Sequence, residues 1–496
     1  MAISAAAATL VVMKIHPDAQ LGHQQFLPGT AASMFASPRP RAARPTRLCV
    51  VGAGYVGLTA AACLAEAGHT VTCLEADPGR LALLKAGRIP IVEPGLAEMV
   101  ARSRQAGGLR FTDEVEEAIE GTGYALLCVG TPPGIDGKPD LRQIGDTARQ
   151  LAAAARSDLV LIVKSTVPPG SCEALEILAA DAAGPDVRVP VVSNPEFLRE
   201  SRAVADFFAP DRIVVGADDP ELGRDVAALY PAGCPILVCD RRSAELVKYA
   251  ANTFLAVKIS FANEVAGLCE RLGADAGRVL EGVGLDARIG AAFLGPGLGF
   301  GGSCLPKDLS GFLATAASVG YEAPLAAAAR AVNGSAQEAV LAKLELALDG
   351  VRGRRLAVLG LAFKPGTDDT RDSPAVALVR SLAARGGVLS TCDPLGRCRE
   401  LPADVFSDPY RAARGAEGLV VATGWPEFAQ LDPVRLRAEM AGTVLVDAAG
   451  VLRGQGWREA GFSLYGVGWG LPSSLHPVVW PPITWALPAA GGLSAA

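Results

Sequence analysis

The stretch Leu48–Asp77, LCVVGAGYVGLTAAACLAEAGHTVTCLEAD, decides the fold. Its first residues form an apolar run, as a strand covered on both faces of a parallel sheet must. Glycines follow at Gly52, Gly54 and Gly57, then a helix-like run, then Gly68 and a second apolar run closed by Glu75. GxGxxG alone is a weak signal. Between a strand and a helix, with an acid at the end of the next strand, it predicts a dinucleotide-binding turn. Gly52 permits the tight turn, Gly54 lets the backbone approach a pyrophosphate, and Gly57 lets helix and strand pack closely. The phosphates would lie at the helix N-terminus. Glu75 would accept from a ribose 2′-hydroxyl and repel a 2′-phosphate, which favours NAD over NADP. A turn of this shape that binds nothing is the competing reading, and Glu75 argues against it.

The same alternation continues outward. Ala125–Val129, Leu159–Val163, Val189–Val192 and Ile213–Val215 read as further strands with helical stretches between several of them. It restarts at RRLAVLGLAFKPGTDDTRDSPAVALVRSLAARGGVLSTCDP (Arg354–Pro394), another strand, loop, helix and strand ending in an acid, Asp393. Gly418–Trp425 and Gly442–Gly450 supply later strands. The expected fold is α/β: two Rossmann-like, doubly wound parallel-sheet domains joined by a long central helix. The second domain has one glycine in Leu359–Phe363, so a dinucleotide is not expected there, although Lys364 or Arg371 could handle a nucleotide-like group.

That central helix is predicted over Ser243–Leu272, with Ser243 as N-cap and Gly273 as the stop. It would be about 45 Å long. Leu246, Ala250, Phe254, Val257, Phe261, Val265 and Leu268 form one apolar stripe, while Lys248 and Asn252 share another face. A helix of this length serves as a spine between domains or as a dimer face.

Bulk composition narrows the chemistry. The 496 residues carry a net charge of −6, which argues against nucleic acid as a partner. No apolar run is long enough to span a membrane. The 11 cysteines are scattered, without a CxxC pair, which suits a reducing cytoplasm better than disulfides or zinc. The four histidines are His16, His23, His69 and His476. His69 follows Gly68 and reads as a solvated turn residue. Chemistry here must do without a histidine base, so Ser-His-Asp hydrolysis and histidine-ligated metals are not expected, and no metal is expected at all. In Gly299–Asp308, GFGGSCLPKD, a cysteine sits behind a glycine-rich loop with Lys307 and Asp308 just beyond. Cys304 reads either as a buried structural thiol or as a nucleophile.

Six separated segments together resemble the UDP-glucose/GDP-mannose dehydrogenase family, in the family's order, over about Leu48–Gly468. They are GAGYVG, KSTVPPG (Lys164–Gly170), SNPEFLRES (Ser193–Ser201), KYAANTFLAVKISFANE (Lys248–Glu264), GFGGSCLPKD and GLAFKPGTDDTRDSPA (Gly360–Ala375). FFAPDRIVVG, ARIGAAFL and the SDPY and GWPEF segments lie nearest the members that oxidise UDP-glucose to UDP-glucuronate. The resemblance implies a four-electron oxidation of a sugar nucleotide's primary alcohol, with two NAD reduced per sugar.

It also implies residue roles. Cys304 is similar to the nucleophile that captures the aldehyde as a thiohemiacetal and becomes a thioester. Asp308 matches a carboxylate that helps the base or an activated water. Lys248, assisted by Asn252, matches the lysine that stabilises charge on the substrate oxygen. Glu196 resembles the glutamate that orients the hydrolytic water, and Thr166 a threonine that holds that water or the alcohol. Tyr55, Val56, Arg80, Thr131, Thr166, Glu200 and Arg371 join Gly52, Gly54, Gly57 and Glu75 on the cofactor side. Glu196, Phe197, Leu198, Lys248, Asn252, Phe300, Gly301 and Lys364 are expected at the sugar nucleotide, to which Gly299, Gly301 and Gly302 would offer unobstructed amides. Arg288 resembles an arginine that reaches a neighbouring subunit's substrate, so a homodimer or higher homo-oligomer is expected.

The implied organisation is a leader at 1–46, an NAD-binding domain at 47–240, and a central domain with the cysteine loop at 241–335. A UDP-sugar-binding domain at 336–468 and an irregular tail at 469–496 follow. The leader, rich in Ala, Pro and Arg, reads as disordered, as an early start, or as an organellar transit peptide. Two departures stand out. Glu75 replaces the usual aspartate, and Val446–Leu452 reads VDAAGVL where the family carries Asp-Gly-Arg. The missing arginine leaves open GDP-mannose or UDP-N-acetylmannosamine as substrate, or an inactive NAD-binding scaffold. A two-electron dehydrogenase is the remaining alternative.

Overall fold

The computed structural model describes residues 45–469, except 135–136, 232, 399, 453 and 455. The leader up to residue 44 and the tail from residue 470 lie outside the described residues. The described chain divides into two compact units. One runs to Lys258 and takes in Leu280–Gly295 and Cys304–Ala327; the other comprises Ile259–Val279, Pro296–Ser303 and the chain from Ala328.

The first unit is built on eight strands: β1 Arg47–Val51, β2 Thr70–Leu74, β3 Leu109–Thr112, β4 Tyr124–Leu127, β5 Val160–Val163, β6 Val191–Ser193, β7 Ile213–Gly216 and β8 Ile236–Cys239. Their order is β3-β2-β1-β4-β5-β6-β7-β8. All neighbours are parallel except β6 and β7, which meet antiparallel at Ser193 and Gly216. Alternate residues of β1 feed separate cores on the two faces: Leu48 and Val50 one, Cys49 and Val51 the other. That two-sided burial explains the uninterrupted apolar wording of the strands. The second unit repeats the plan with β9 Arg355–Leu359, β10 Val388–Cys392, β11 Asp404–Phe406, β12 Gly418–Val421, β13 Val444–Asp447 and β14 Ser463–Gly466. These lie in the order β11-β10-β9-β12-β13-β14, all parallel. The doubly wound α/β expectation is met twice.

The central helix spans Arg241–Leu272, 32 residues, and starts two residues earlier than predicted. The cap is Asp240, not Ser243: its carboxylate accepts from the Ser243 N–H at 2.9 Å and from the Ser243 hydroxyl at 2.6 Å. Two acceptor oxygens just before the helix outcompete one hydroxyl inside it. At the far end Gly273 takes φ +70 and the Ala274 N–H donates to the Cys269 carbonyl at 2.9 Å, which closes the helix. The helix buries Ala244, Lys248, Tyr249, Asn252, Ala256, Ala262 and Ala266, and exposes Leu246, Phe254, Phe261 and Leu268 from the apolar stripe. Apart from Tyr249, small and polar residues therefore face the protein, while four large apolar ones face outward.

One expectation fails. His69 is not a solvated turn residue; it is 2 % exposed. Its Nδ1 accepts from the Thr46 N–H at 3.2 Å, and its Nε2 lies 2.9 Å from the Leu229 carbonyl. A segment 160 residues away covers it. Among the described residues no helix is long and apolar enough to cross a membrane.

Candidate active site

The glycine turn after β1 shows why each glycine stands where it does. Gly52 has φ +91, and its N–H donates to the Leu74 carbonyl at 2.8 Å. A Cβ on Gly57 would lie 1.8 Å from the Gly52 carbonyl oxygen, so no side chain fits between helix and turn. Gly54, the N-cap of helix Tyr55–Glu66, has nothing within 4 Å of its Cβ position. Open space at a helix N-terminus is a cradle that fits a pyrophosphate. Val56 lies half-buried in the first turn of that helix. Glu75, 4 % exposed, accepts from the Ala53 N–H at 2.8 Å, the Asp77 N–H at 2.7 Å and the Arg80 guanidinium at 3.1 Å. The acid is thus held at the mouth of the turn, and Arg80 is paired with it instead of standing free for a 2′-phosphate.

Thr131 and Thr166 meet beyond the ends of β4 and β5, where the Thr131 hydroxyl donates to the Thr166 carbonyl at 2.8 Å. The Tyr55 hydroxyl turns toward the loop after β6: it donates to Glu93 and accepts from the Ser201 N–H at 2.9 Å. Burial and the Glu93 carboxylate push the Tyr55 hydroxyl far above its usual range. Glu200 lies half-buried next to Ser201.

The catalytic candidates converge in the first unit. Lys248, 4 % exposed, donates to Glu196 at 2.9 Å. The other Glu196 oxygen accepts from the Leu198 N–H at 2.6 Å. Between them in sequence, the Phe197 ring lies 3.6 Å below the Arg212 guanidinium and 5.4 Å from the Lys248 ammonium. One helical turn along, Asn252 donates to Asp308 at 2.5 Å, and Lys307 donates to the other Asp308 oxygen at 2.5 Å. Burial alone would pull the Lys248 ammonium down. Glu196, Asp308 and Cys304 outweigh it and hold the group above the usual lysine range.

Cys304 is the N-cap of helix Leu305–Ser318 and the only exposed cysteine of the eleven. Burial pushes the Cys49 and Cys128 thiols up to about 12 and Cys392 to about 11, and holds Cys73 and Cys172 well above the ordinary value. Those thiols are inert packing groups, whereas Cys304 is accessible at the positive end of a helix.

Arg288 is solvent-facing, its side chain 89 % exposed, and pairs with Asp286 at 2.6 Å. In the second unit, Phe300 is buried; its N–H donates to Asn333 at 2.7 Å, and the Asn333 amide donates back to the Phe300 carbonyl at 3.1 Å. A Cβ on Gly299 would lie 2.4 Å from the Asn333 oxygen, on Gly301 2.3 Å from the Asp372 carbonyl and on Gly302 2.7 Å from the Phe363 ring. The glycines are required by the loop's packing on its own unit. Lys364 stands over the Phe363 ring and Arg371 pairs with Asp369 at 2.7 Å. Asp393, where a dinucleotide fold keeps its ribose acid, already accepts from the Leu361, Ala362, Leu395 and Gly396 N–H groups and the Trp425 indole. Asp447 is spent on the Ala449, Gly450 and Leu452 N–H groups.

Sequence reading missed Glu93, Arg212 and Asn333 as parts of these networks, and noted Lys307 beside Asp308 without giving it a role.

A dinucleotide cradle with a ribose acid, together with an accessible thiol and a buried lysine among carboxylates, is the arrangement of an NAD-dependent oxidoreductase. The chain belongs to the UDP-glucose/GDP-mannose dehydrogenase family. The family's NAD binding domain matches residues 46–232, its central domain 242–335 and its UDP binding domain 357–454. The UDP-glucose 6-dehydrogenase of Rhizobium meliloti (strain 1021) is 42% identical over 434 residues, 85% of this chain and 99% of that protein. The structure of a UDP-glucose dehydrogenase from Pyrobaculum islandicum superposes with a TM-score of 0.81 at 42% identity, over 87% of this chain and 99% of that one. A UDP-D-ManNAc dehydrogenase from Pyrococcus horikoshii gives 0.78 at 28% identity, over 86% and 99%. The cofactor is NAD, as Glu75 suggested, and the C-terminal region is a UDP-binding domain.

Proposed function

We propose that this chain is an NAD-dependent UDP-glucose 6-dehydrogenase, which oxidises the C6 alcohol of UDP-glucose to the carboxylate of UDP-glucuronate. Relatives of that name at 36% to 42% identity support the substrate. The observation that carries the chemistry is the buried Lys248–Glu196 and Asn252–Asp308 pairing on one helix, in range of the one exposed cysteine.

Bound NAD supplies the hydride acceptor for two successive oxidations. The first oxidation removes a hydride from C6 and the proton from its hydroxyl, leaving an aldehyde. The Cys304 S–H then gives up its proton as the sulfur adds to the aldehyde carbon and the carbonyl electron pair moves onto oxygen. That oxygen takes up a proton to complete the thiohemiacetal. Lys248, with Asn252 beside it, offers positive charge to that oxygen. Oxidation leaves a thioester. Water attacks it, the C–S bond breaks, and the sulfur departs with the bonding pair. Asp308 and Glu196 handle the proton and orientation of that water, and Thr166 holds the water or the alcohol. Glu75, Gly54 and Thr131 serve the NAD end; Phe197, Leu198, Phe300, Gly301 and Lys364 serve the sugar nucleotide.

The purified chain is to be incubated with NAD and UDP-glucose, with NADH absorbance and product mass followed together. Two NADH per UDP-glucuronate is expected. One NADH per sugar, or turnover of GDP-mannose or UDP-N-acetylmannosamine in preference to UDP-glucose, would overturn the reading. The active form is a homodimer or higher homo-oligomer, in which the exposed Leu246, Phe254, Phe261 and Leu268 stripe meets a second copy and Arg288 reaches its partner's substrate.

A further inference from the structure

Glu93 is a buried acid that the proposed chemistry leaves unused. It is 7 % exposed and makes no ion pair among the described residues. One of its oxygens accepts the Tyr55 hydroxyl, and the other accepts the Val204 N–H at 3.3 Å. Burial pushes its carboxyl up, against the Tyr55 hydroxyl and nearby amides that pull it down. Tyr55 in turn accepts from the Ser201 N–H at 2.9 Å.

What these bonds connect gives Glu93 its meaning. Tyr55 is the first residue of the helix at the dinucleotide turn. Ser201 ends the loop Asn194–Ser201, which carries Glu196 against Lys248 and Glu200 beside Tyr55. Ser201 is also buried and left-handed, at φ 67. A residue with a Cβ in that region is sterically strained and persists only where its surroundings hold it. Here the hold on its N–H is the Tyr55 oxygen, itself oriented by Glu93, and the Glu93 carboxylate also draws on the Ser201 amide directly.

We infer that Glu93 is a positioning residue: through Tyr55 it holds Ser201 in its left-handed conformation and so keeps the Asn194–Ser201 loop, with Glu196 on Lys248, in working register with the dinucleotide turn. The inference rests on the activity proposed above for its kinetic arm and on the loop alone for its second arm. Loop geometry enters the rate steeply, since a displacement of about 1 Å can cost about 100-fold.

The test uses the full chain as Glu93→Gln, Tyr55→Phe and the double variant Glu93→Gln/Ser201→Gly. In the kinetic arm, Glu93→Gln and Tyr55→Phe are expected to lower kcat about 10- to 100-fold while KM for UDP-glucose stays within about threefold. The double variant should recover much of kcat, because glycine takes positive φ without the steric cost. In the second arm, hydrogen exchange of amides 194–202 in the NADH-bound protein should quicken in both single variants. Unchanged exchange and kcat would overturn the inference, and so would a loss seen only in melting temperature and not relieved by Ser201→Gly. If the wild-type chain leaves UDP-glucose untouched, the activity reading falls, and unchanged or quickened exchange still decides Glu93.

Discussion

At the scale of single residues, accessibility separates one thiol from ten others of the same kind. Cys304→Ser is expected to cut UDP-glucuronate formation by at least about a thousandfold, as loss of a nucleophile does. NADH binding, measured by fluorescence titration, should not change, since Cys304 lies in a different element from the glycine turn. Uronate formation at the wild-type rate would refute the nucleophile. His69 gives a prediction of a different kind. Burial lowers its pKa below the ordinary 6.5. The unfolded chain then takes up a proton below about pH 6.5 that the folded chain refuses, so stability present above that pH is lost as pH falls toward the folded value. The urea midpoint should drop between pH 7 and pH 5.5, and His69→Gln should flatten the drop; an equal slope in both proteins would remove His69 as the cause. The grouping of Cys304, Lys248, Asn252 and Asp308 was legible because each stands in a motif that spells its neighbours. His69 and Glu93 were not, because their partners come from segments 160 and more than 100 residues away, and a local reading cannot see what covers a side chain.

Elements carry the argument about glycine. The fold was legible from strand–turn–helix wording, since parallel strands buried on both faces cannot disguise themselves as alternating ones. The glycines of the turn were legible for the same reason; those of the Gly299–Gly302 loop have a packing reason that the local sequence did not show. They make room for Asn333, Asp372 and Phe363, which lie later in the chain. The turn supplies the sharper test. A methyl group on Gly57 would sit 1.8 Å from backbone, which cannot yield as a flexible side chain would. Gly57→Ala should therefore push helix Tyr55–Glu66 away from the turn, cost about 1–3 kcal/mol of stability and weaken NADH binding about tenfold or more. A variant that binds NADH normally and melts at the wild-type temperature would show that this close approach is not what the glycine is for.

For the whole molecule, the decisive fact is what the long helix turns outward. Its apolar stripe was legible as a period, but which way it faced was not, because periodicity gives a face and not its partner. Phe254 is 62 % exposed and Phe261 49 %, with Leu246 and Leu268 on the same side. Monomeric proteins seldom leave a large apolar stripe in water, since each such side chain forgoes about 1.5–3 kcal/mol of burial. Arg288 adds a second reason for a partner, because its guanidinium stands in solvent on this chain while the proposed role needs it at a substrate. The two reasons are separable. Phe254→Glu/Phe261→Glu should convert a dimer or larger assembly to monomer by light scattering, because two carboxylates would have to be desolvated in the interface. If Arg288 completes the partner's site, that monomer should bind NADH as the wild type does and lose UDP-glucose turnover. Arg288→Ala should keep the assembly and raise KM for UDP-glucose. A wild-type chain that is monomeric at micromolar concentration and fully active would remove both ideas at once. An active monomeric variant would keep the interface and return Arg288 to an ordinary solvated side chain.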